Sequence, residues 1–496
     1  MSEKIRTSIL IVFGVLSLIS VFQLNLTEKG LHTEYETFKS SPIEITKPLD
    51  QDKGLVFIAH GFAGSSVLMK PIAIALAKSG YTTIRYDFRG HGQHSLPYSG
   101  DVTTISGATK LFLDDSDAII RHYLEKSSHS NAIVIGHSMA SDIIFRAAKQ
   151  NESIFGAIGI SSYTDVITTD GPRNILILNG EWEKRLREKG IKTLEEIGVD
   201  HPKENKTFGS FEFGDAIKTS VIKHVGHFGI LYSPKTQSEI ISWVDKVHGE
   251  TTSITPNYIG FWLIILCGSI FLFSCLFVQT LKSRKSQTFP IDFWTLLLGN
   301  FIAATITPIV IHYFSIKFLP FPAHNYLINH LFLYSLIIIA FLPLKKVQKI
   351  WTSWYLYVVS AISTFYLFFV GGIIDTYIST FFLTYPRLGL FLLLCVGCIP
   401  IMLILQFVYQ AEKGRNLIGT MTKTFILISF VIAIWLNFTQ LFLLAYAIFL
   451  FLCFFLVFGF LSNLLGRRIG AFLPIGFSNG ITLAWTLATA LPLYIP

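Results

Sequence analysis

Apolar runs of six or seven residues recur through the first half of the chain, at 54–60 (GLVFIAH), 82–88 (TTIRYDF), 132–137 (AIVIGH), 156–161 (GAIGIS), 174–180 (NILILNG) and 219–225 (TSVIKHV). Branched residues carry them rather than strict alternation, which is the pattern of a strand covered on both faces. Between several of them, 67–79, 107–126, 139–149 and 235–248 place apolar residues at helical spacing. Strands separated by helices predict a mostly parallel sheet with helices on both sides. Reactive groups in such a fold sit on loops at the carboxyl ends of the strands.

Past residue 256 the pattern changes. Apolar runs near 258–281, 293–315, 325–343, 351–371, 388–409, 418–437, 439–461 and 472–494 are each about 20 residues, enough to cross a bilayer. An earlier run, Ile9 to Leu24, follows Lys4 and Arg6 and leads into QLNLTEKG, which lacks a small-x-small cleavage site. It reads as an uncleaved signal anchor. The expected organisation is therefore a signal-anchor helix over 1–27, a soluble α/β domain over 28–252 and an all-α membrane domain of about eight helices over 253–496. The stretch 372–387, GIIDTYISTFFLTYPR, reads as a re-entrant or interfacial hairpin.

Charge fixes an orientation for this topology. The formal net charge is +8, and beyond residue 256 only Asp292, Asp375 and Glu412 oppose thirteen Lys and Arg, leaving 27 basic and 29 acidic residues before that point. The excess lies in short loops between apolar runs, as in a membrane protein, and is not a nucleic-acid footprint. Lys4 and Arg6, then Lys282, Arg284 and Lys285, Lys345, Lys346 and Lys349, Lys413 and Arg415, and Arg467 and Arg468 fall on one side if successive runs cross. By the positive-inside rule that side is cytoplasmic, so the amino terminus is expected inside and residues 25–256 on the outer face of a cell membrane. Lys317 and Arg387 fall on the other side.

Composition adds two exclusions. With 51% hydrophobic residues and a mean hydropathy of +0.53, the chain is too apolar for a purely soluble protein. Cys267, Cys275, Cys395, Cys398 and Cys453 all fall in the apolar half, so the soluble half offers no thiol nucleophile. Cys395 and Cys398 form a C-x-x-C inside a Leu/Val/Ile run and read as core packing. Asn300, Thr305, Thr307, His312, His330, Asp375, Asn437, Gln440 and Asn479 are the polar residues in or near the apolar runs. They do not include a charged pair at mid-helix, which disfavours an ion-coupled carrier.

The stretch NAIVIGHSMASDII (131–144) carries the chemistry. A strand entering a helix through a one-residue turn forces its central residue into strained geometry. Small residues are then required two before and two after, here Gly136 and Ala140 around Ser138. FIAHGFAGSS ends a strand at His60-Gly61, and the Phe62 N–H pairs with that of Met139 as an oxyanion hole. Two such donors are worth about 3 kcal/mol each. LILNGEWEK places Glu183 three residues after Gly180, with Glu181 as a rival acid, and VIKHVGHFGIL places His227 on a loop after the last strand, with His224 as a rival base. Ser, acid and His follow one another in the chain order of an α/β-hydrolase triad.

HGFAGSS, YDFRGHGQHS, GHSMA and VGHF together resemble the α/β-hydrolase family, in particular its monoacylglycerol-lipase-like and serine aminopeptidase branch. The resemblance covers residues 54–250. It implies Ser138 as nucleophile, His227 as general base and then acid, Glu183 as the group orienting the imidazole, and Phe62 and Met139 as main-chain donors. It implies a serine hydrolase of carboxylic esters, with a lipid or small acyl ester as substrate, membrane lipids as surroundings, and neither cofactor nor metal. His91 and His94 then belong to a structural turn. Two features depart from the family: Glu stands where Asp is usual, and the insertion lies at 184–217 rather than after the strand at 156–161. Peptidase activity, or a carrier, receptor or assembly protein with an accessory hydrolase domain, are the alternatives.

Overall fold

The computed structural model describes residues 2–50, 52–100, 104–252, 255–284, 288–344 and 354–495. Lys285, Lys345, Lys346 and Lys349 of the basic clusters lie outside them, as do the start of the 351–371 run and Ser253, where the membrane domain was expected to begin. The chain forms two compact units. One holds Ser17–Cys267 with Thr376–Thr380; the other holds Met1–Leu16, Gly268–Asp375 and Phe381–Pro496.

The first unit has the α/β-hydrolase fold, built on a nine-stranded sheet. Its strands are β1 (His32–Phe38), β2 (Ser41–Lys47), β3 (Leu55–Ala59), β4 (Thr82–Tyr86), β5 (Ala132–His137), β6 (Ile154–Ile160), β7 (Ile175–Gly180), β8 (Thr207–Phe208) and β9 (Ile217–Ile222). In space they run β1-β2-β4-β3-β5-β6-β7-β9-β8. From β4 to β9 neighbouring strands are parallel. β1, β2 and β8 add antiparallel margins. Every residue of β3, β4, β5 and β7 is buried, which is why those runs lack polar alternation. After the first helix of the chain, α1 (Glu3–Glu28), the helices α2 (Lys70–Lys78), α3 (Lys110–Lys126), α4 (Met139–Gln150), α5 (Lys184–Glu196) and α6 (Pro234–His248) follow the expected helical stretches except α5, which occupies the insertion.

The β1–β2 hairpin leaves no apolar run in the sequence. HTEYETF is mostly exposed, so it lacks an apolar run, whereas SPIEITK buries Ile43 and Ile45 on one face. Lys39 and Ser40 join the strands with φ of 46° and 73°, the doubly left-handed turn that suits the twist of a two-residue hairpin. Glycine or asparagine would have announced it. Lysine and serine do not.

In the second unit and the first helix, seven helices among the described residues are long and apolar enough to cross a membrane. They are Glu3–Glu28, Ile259–Thr280, Phe293–Tyr313, Trp354–Tyr377, Tyr385–Val408, Arg415–Leu436 and Leu443–Ile469. The runs expected at 325–343 and 472–494 are also helical, as Pro322–Ile339 and Leu473–Ala490, with polar residues such as His330 and Asn479 among their buried positions. Both pack against Tyr385–Val408 and bury eleven and twelve of their 18 residues within the bundle. A β-carbon at Gly476 or Gly480 would lie 2.8 or 2.5 Å from the backbone of Leu403 or Ile399, so these glycines let two helices touch.

Several polar residues of the apolar helices join one helix to another. Tyr334 donates to Asn300 Oδ1 at 3.0 Å, Asn300 donates to Thr422 Oγ1 at 3.3 Å, and Ser462 donates to Asn479 at 2.9 Å. Arg387 is buried and donates to the carbonyls of Ala488 and Leu491 at 2.6 and 3.0 Å, where a cation offsets the negative end of a helix. The stretch 372–387 supplies the end of one helix and the start of the next, without a further crossing. Asp375 closes the turn between them by accepting from the N–H groups of Phe381 and Phe382. Cys395 and Cys398 are free, and Cys398 is buried in that next helix.

Candidate active site

Ser138 sits between the last residue of β5 and the first of α4, with φ of 53° and ψ of −119°. A side chain tolerates such angles only where its surroundings over-determine them. Here Ser138 N–H donates to Ile160 of β6 at 2.8 Å, and Ser138 C=O accepts from Ser141 N–H at 2.9 Å. A β-carbon on Gly136 would lie 2.5 Å from the Ala140 carbonyl oxygen. The small residues on either side are therefore a steric requirement of the turn.

Two loops bring partners to the hydroxyl. His227 lies beyond β9, and its Nε2 is 3.0 Å from Ser138 Oγ. The other ring nitrogen, Nδ1, is 2.7 Å from Glu183 Oε1. Glu183 Oε2 accepts from Gly180 N–H at 2.7 Å and from the Ser161 hydroxyl at 2.8 Å. Burial by itself raises this carboxyl's pKa, yet the hydrogen bonds from His227, Gly180 and Ser161 outweigh it and hold the group below the usual carboxylate range. Gly180 is needed for a second reason: a β-carbon there would lie 2.5 Å from the Val225 carbonyl, where the acid and histidine loops cross.

The rival residues pair with one another instead. Glu181 accepts from the His224 N–H at 2.9 Å, and the His224 side chain is exposed with φ of 60°. β9 ends at Ile222, so His224 lies on the turn beyond the strand rather than at its end.

Phe62 and Met139 belong to the two backbone stretches that adjoin the Ser138 side chain. Met139 opens α4, and a β-carbon on Gly61 would lie 3.1 Å from Ser138 Cβ, so the Gly61–Phe62 turn runs directly past the hydroxyl-bearing residue. A buried scaffold fixes that turn. His60 Nδ1–H donates to Gly61 C=O at 2.7 Å while its Nε2 accepts from Phe88 N–H at 3.1 Å. Asp87 accepts from Ser66 N–H at 2.6 Å and from Gln93 N–H at 2.9 Å, joining HGFAGSS to RGHGQHS. Gly92 has φ of 51° and a β-carbon there would strike the Asp87 carboxylate. His91 and His94 are buried in that turn, with His91 Nδ1 2.8 Å from the Arg89 carbonyl and His94 Nδ1 accepting from Leu96 N–H at 3.1 Å.

Three supporting residues escape the sequence reading: Asp87, His137 and Ser161. His137 is buried beside Ser138 and its Nε2–H donates to the His227 carbonyl at 2.9 Å. Burial, then the neighbouring His227, pulls its pKa down to about 3, so it stays neutral and serves as a fixed strut for the histidine loop. Its place just before the serine in GHSMA was the only available signal. Ser161 directly follows β6, with φ of 49°. Alanine there keeps the same backbone and removes only the hydroxyl, so Ser161→Ala is expected to lower kcat about 10-fold at unchanged KM. That is the scale of one hydrogen bond to a charged group, and steady-state kinetics on an ester measures it.

Residues 50–203 match the family described as serine aminopeptidase, S33. The chain is 28% identical over 123 residues to a monoglyceride lipase homolog of Monkeypox virus, a match covering 23% of this chain and 40% of that protein. The chain thus spans about two fifths of the length of the curated relative it matches. Among solved structures it is similar to the proline iminopeptidase of Mycobacterium smegmatis (13% identity, TM-score 0.34, covering 44% of this chain and 99% of that one). It is also similar to a thermostable carboxyl esterase of Bacillus coagulans (13% identity, TM-score 0.33, 44% and 99%). The parallel sheet and the strained serine turn at the end of β5 are those of an α/β-hydrolase fold, within which residues 50–203 match the serine aminopeptidase family, and an apolar helical region accompanies this domain.

Proposed function

We propose that the chain is a membrane-embedded serine hydrolase that cleaves carboxylic esters of lipid origin. The observation that carries the reading is the hydrogen-bonded row Ser138–His227–Glu183, 3.0 and 2.7 Å between successive partners, hung on a positive-φ turn. Ser138 is the nucleophile, His227 the general base and then acid, and Glu183 the group that holds Nδ1–H toward itself so that Nε2 is free to accept a proton. His227 takes the Ser138 proton as Oγ attacks the carbonyl carbon. The Phe62 and Met139 N–H groups receive the oxyanion, and His227 returns the proton to the departing alcohol. Water, deprotonated by His227, then releases the acid and restores Ser138.

The lipid class draws support from the monoglyceride lipase homolog among its relatives and from aromatic side chains exposed beside the row. Phe62 follows Gly61, Phe228 follows His227, and Trp182 packs at Gly226. These surfaces suit an acyl chain better than a charged amino terminus. The orientation proposed for the chain is that of a multi-pass cell-membrane protein with its amino terminus inside and the hydrolase domain outside, supported by the distribution of Lys and Arg.

The test is a substrate series on the full chain in membranes: p-nitrophenyl esters of increasing acyl length, a monoacylglycerol and amino-acid p-nitroanilides. Esters and the monoacylglycerol are expected to exceed the anilides in kcat/KM by about 100-fold or more, a difference of about 2.7 kcal/mol. A preference for anilides would assign a peptidase instead.

A further inference from the structure

Residues 376–380, TYIST, belong to the hydrolase unit although they lie 109 positions beyond Cys267, where the rest of that unit ends. Tyr377 and Thr380 are buried there. Their contacts fall on two particular segments. Thr380 N–H donates to Ser65 Oγ at 3.1 Å. Tyr232 O–H donates to the Tyr377 carbonyl at 2.7 Å. The Lys70 ammonium, at the start of α2, lies 5.1 Å from the centre of the Tyr377 ring and is itself paired with Glu28 at 2.8 Å.

Both hydrogen-bonding segments are continuations of active-site loops. Ser65 follows Phe62 by three residues, in a stretch whose turn is closed by Gly64 N–H donating to Gly61 C=O. Tyr232 follows His227 by five residues, in a turn held by Ile230 N–H donating to Gly226 C=O. Ser65 is also placed where a serine ordinarily accepts from its own helix: it precedes the turn Ser66–Met69, yet makes no such capping bond. Its hydroxyl is fully buried and turned to Thr380 instead.

We propose that residues 376–380 are a brace of the active site, holding the loop that carries the Phe62 amide at a fixed spacing from the loop that carries His227. The inference rests on the catalytic roles given above for Phe62 and His227. Ser65, Tyr232 and Thr380 are positioning residues: they touch neither substrate nor the reacting atoms, but a small displacement of an oxyanion donor relative to the base costs turnover. The hydrolase site is thereby completed by a segment drawn from between two apolar helices.

The experiment compares kcat, KM and thermal midpoint of the full chain in membranes for Ser65→Ala, Thr380→Pro, Tyr232→Phe and the double variant Ser65→Ala/Thr380→Pro, on a p-nitrophenyl ester. Proline at 380 has no N–H to donate. Each single variant is expected to lose about 10-fold in kcat with KM within about twofold of the parent, on the scale of a misplaced catalytic group. The double variant should fall no lower than the worse of its two singles, because both remove one and the same bond. Singles at the parent's kcat, or losses that multiply in the double variant, overturn the brace. So do losses accompanied by a proportional rise in KM. Should Thr380→Pro fail to label with a fluorophosphonate, Ser65→Ala and Tyr232→Phe decide alone, and parental kcat in both discards the proposal. Activity persisting in Ser138→Ala would discard the catalytic reading instead, a result these variants do not produce.

Discussion

Replacing Ser138 by alanine is expected to abolish labelling by a fluorophosphonate and to lower ester turnover by about 10⁴-fold or more, with expression unchanged. The size follows from the covalent route. Without Oγ no acyl-enzyme forms, and what remains is the residual stabilisation of a water attack by the Phe62 and Met139 N–H groups. The fold should survive, because alanine at this position keeps the backbone that Ile160, Ser141, Gly136 and Ala140 impose, and it meets the positive φ with the same β-carbon as serine. Gel fluorescence on membranes measures the labelling, and a persisting band would mean that another serine is the nucleophile.

Glu183→Gln is expected to reduce kcat by about 10³-fold or more, and Glu181→Gln by no more than about twofold. Glu183 receives three donors: the His227 ring, the Gly180 N–H and the Ser161 hydroxyl. A glutamine cannot accept from all of them. With its carbonyl toward His227, its NH₂ faces the Gly180 N–H, donor against donor. Turned the other way, the NH₂ donates to Nδ1 and forces the proton onto Nε2, where the ring no longer accepts from Ser138. Glu181 instead holds the exposed His224 backbone. Equal losses in the two variants, or a larger one for Glu181, would reassign the acid. The sign of the pH effect on stability also follows. Because the folded pKa of Glu183 lies below its ordinary value, its contribution is present above that ordinary value and lost as pH falls through the lower one. Glu183→Gln removes that acid-side component.

Much of this was legible in the residues. Continuous branched runs announced β3, β4, β5 and β7 because strands covered on both faces have no polar side to alternate with. The nucleophile turn showed itself through Gly136 and Ala140, which the backbone demands. The acid and the base stood out from their rivals chiefly through the family resemblance, because GEWE and HVGH each offer two groups within three positions. What separates them is which way the loop turns after β7 and β9, and loop direction leaves no mark in composition. The β1–β2 hairpin stayed hidden behind a polar margin. Asp87 and Ser161 stabilise the site through contacts made by folding, between segments 21 and 22 residues apart in sequence.

The dihedral angles at Ser138 carry a consequence for which nucleophiles the site accepts. Threonine presents the same oxygen, but its second β-substituent is poorly tolerated at φ of 53°. Cysteine and serine, unbranched at that carbon, fit without further displacement. Mutational drift between the two hydroxyl amino acids is therefore closed at this position by conformation, before reactivity is ever tested.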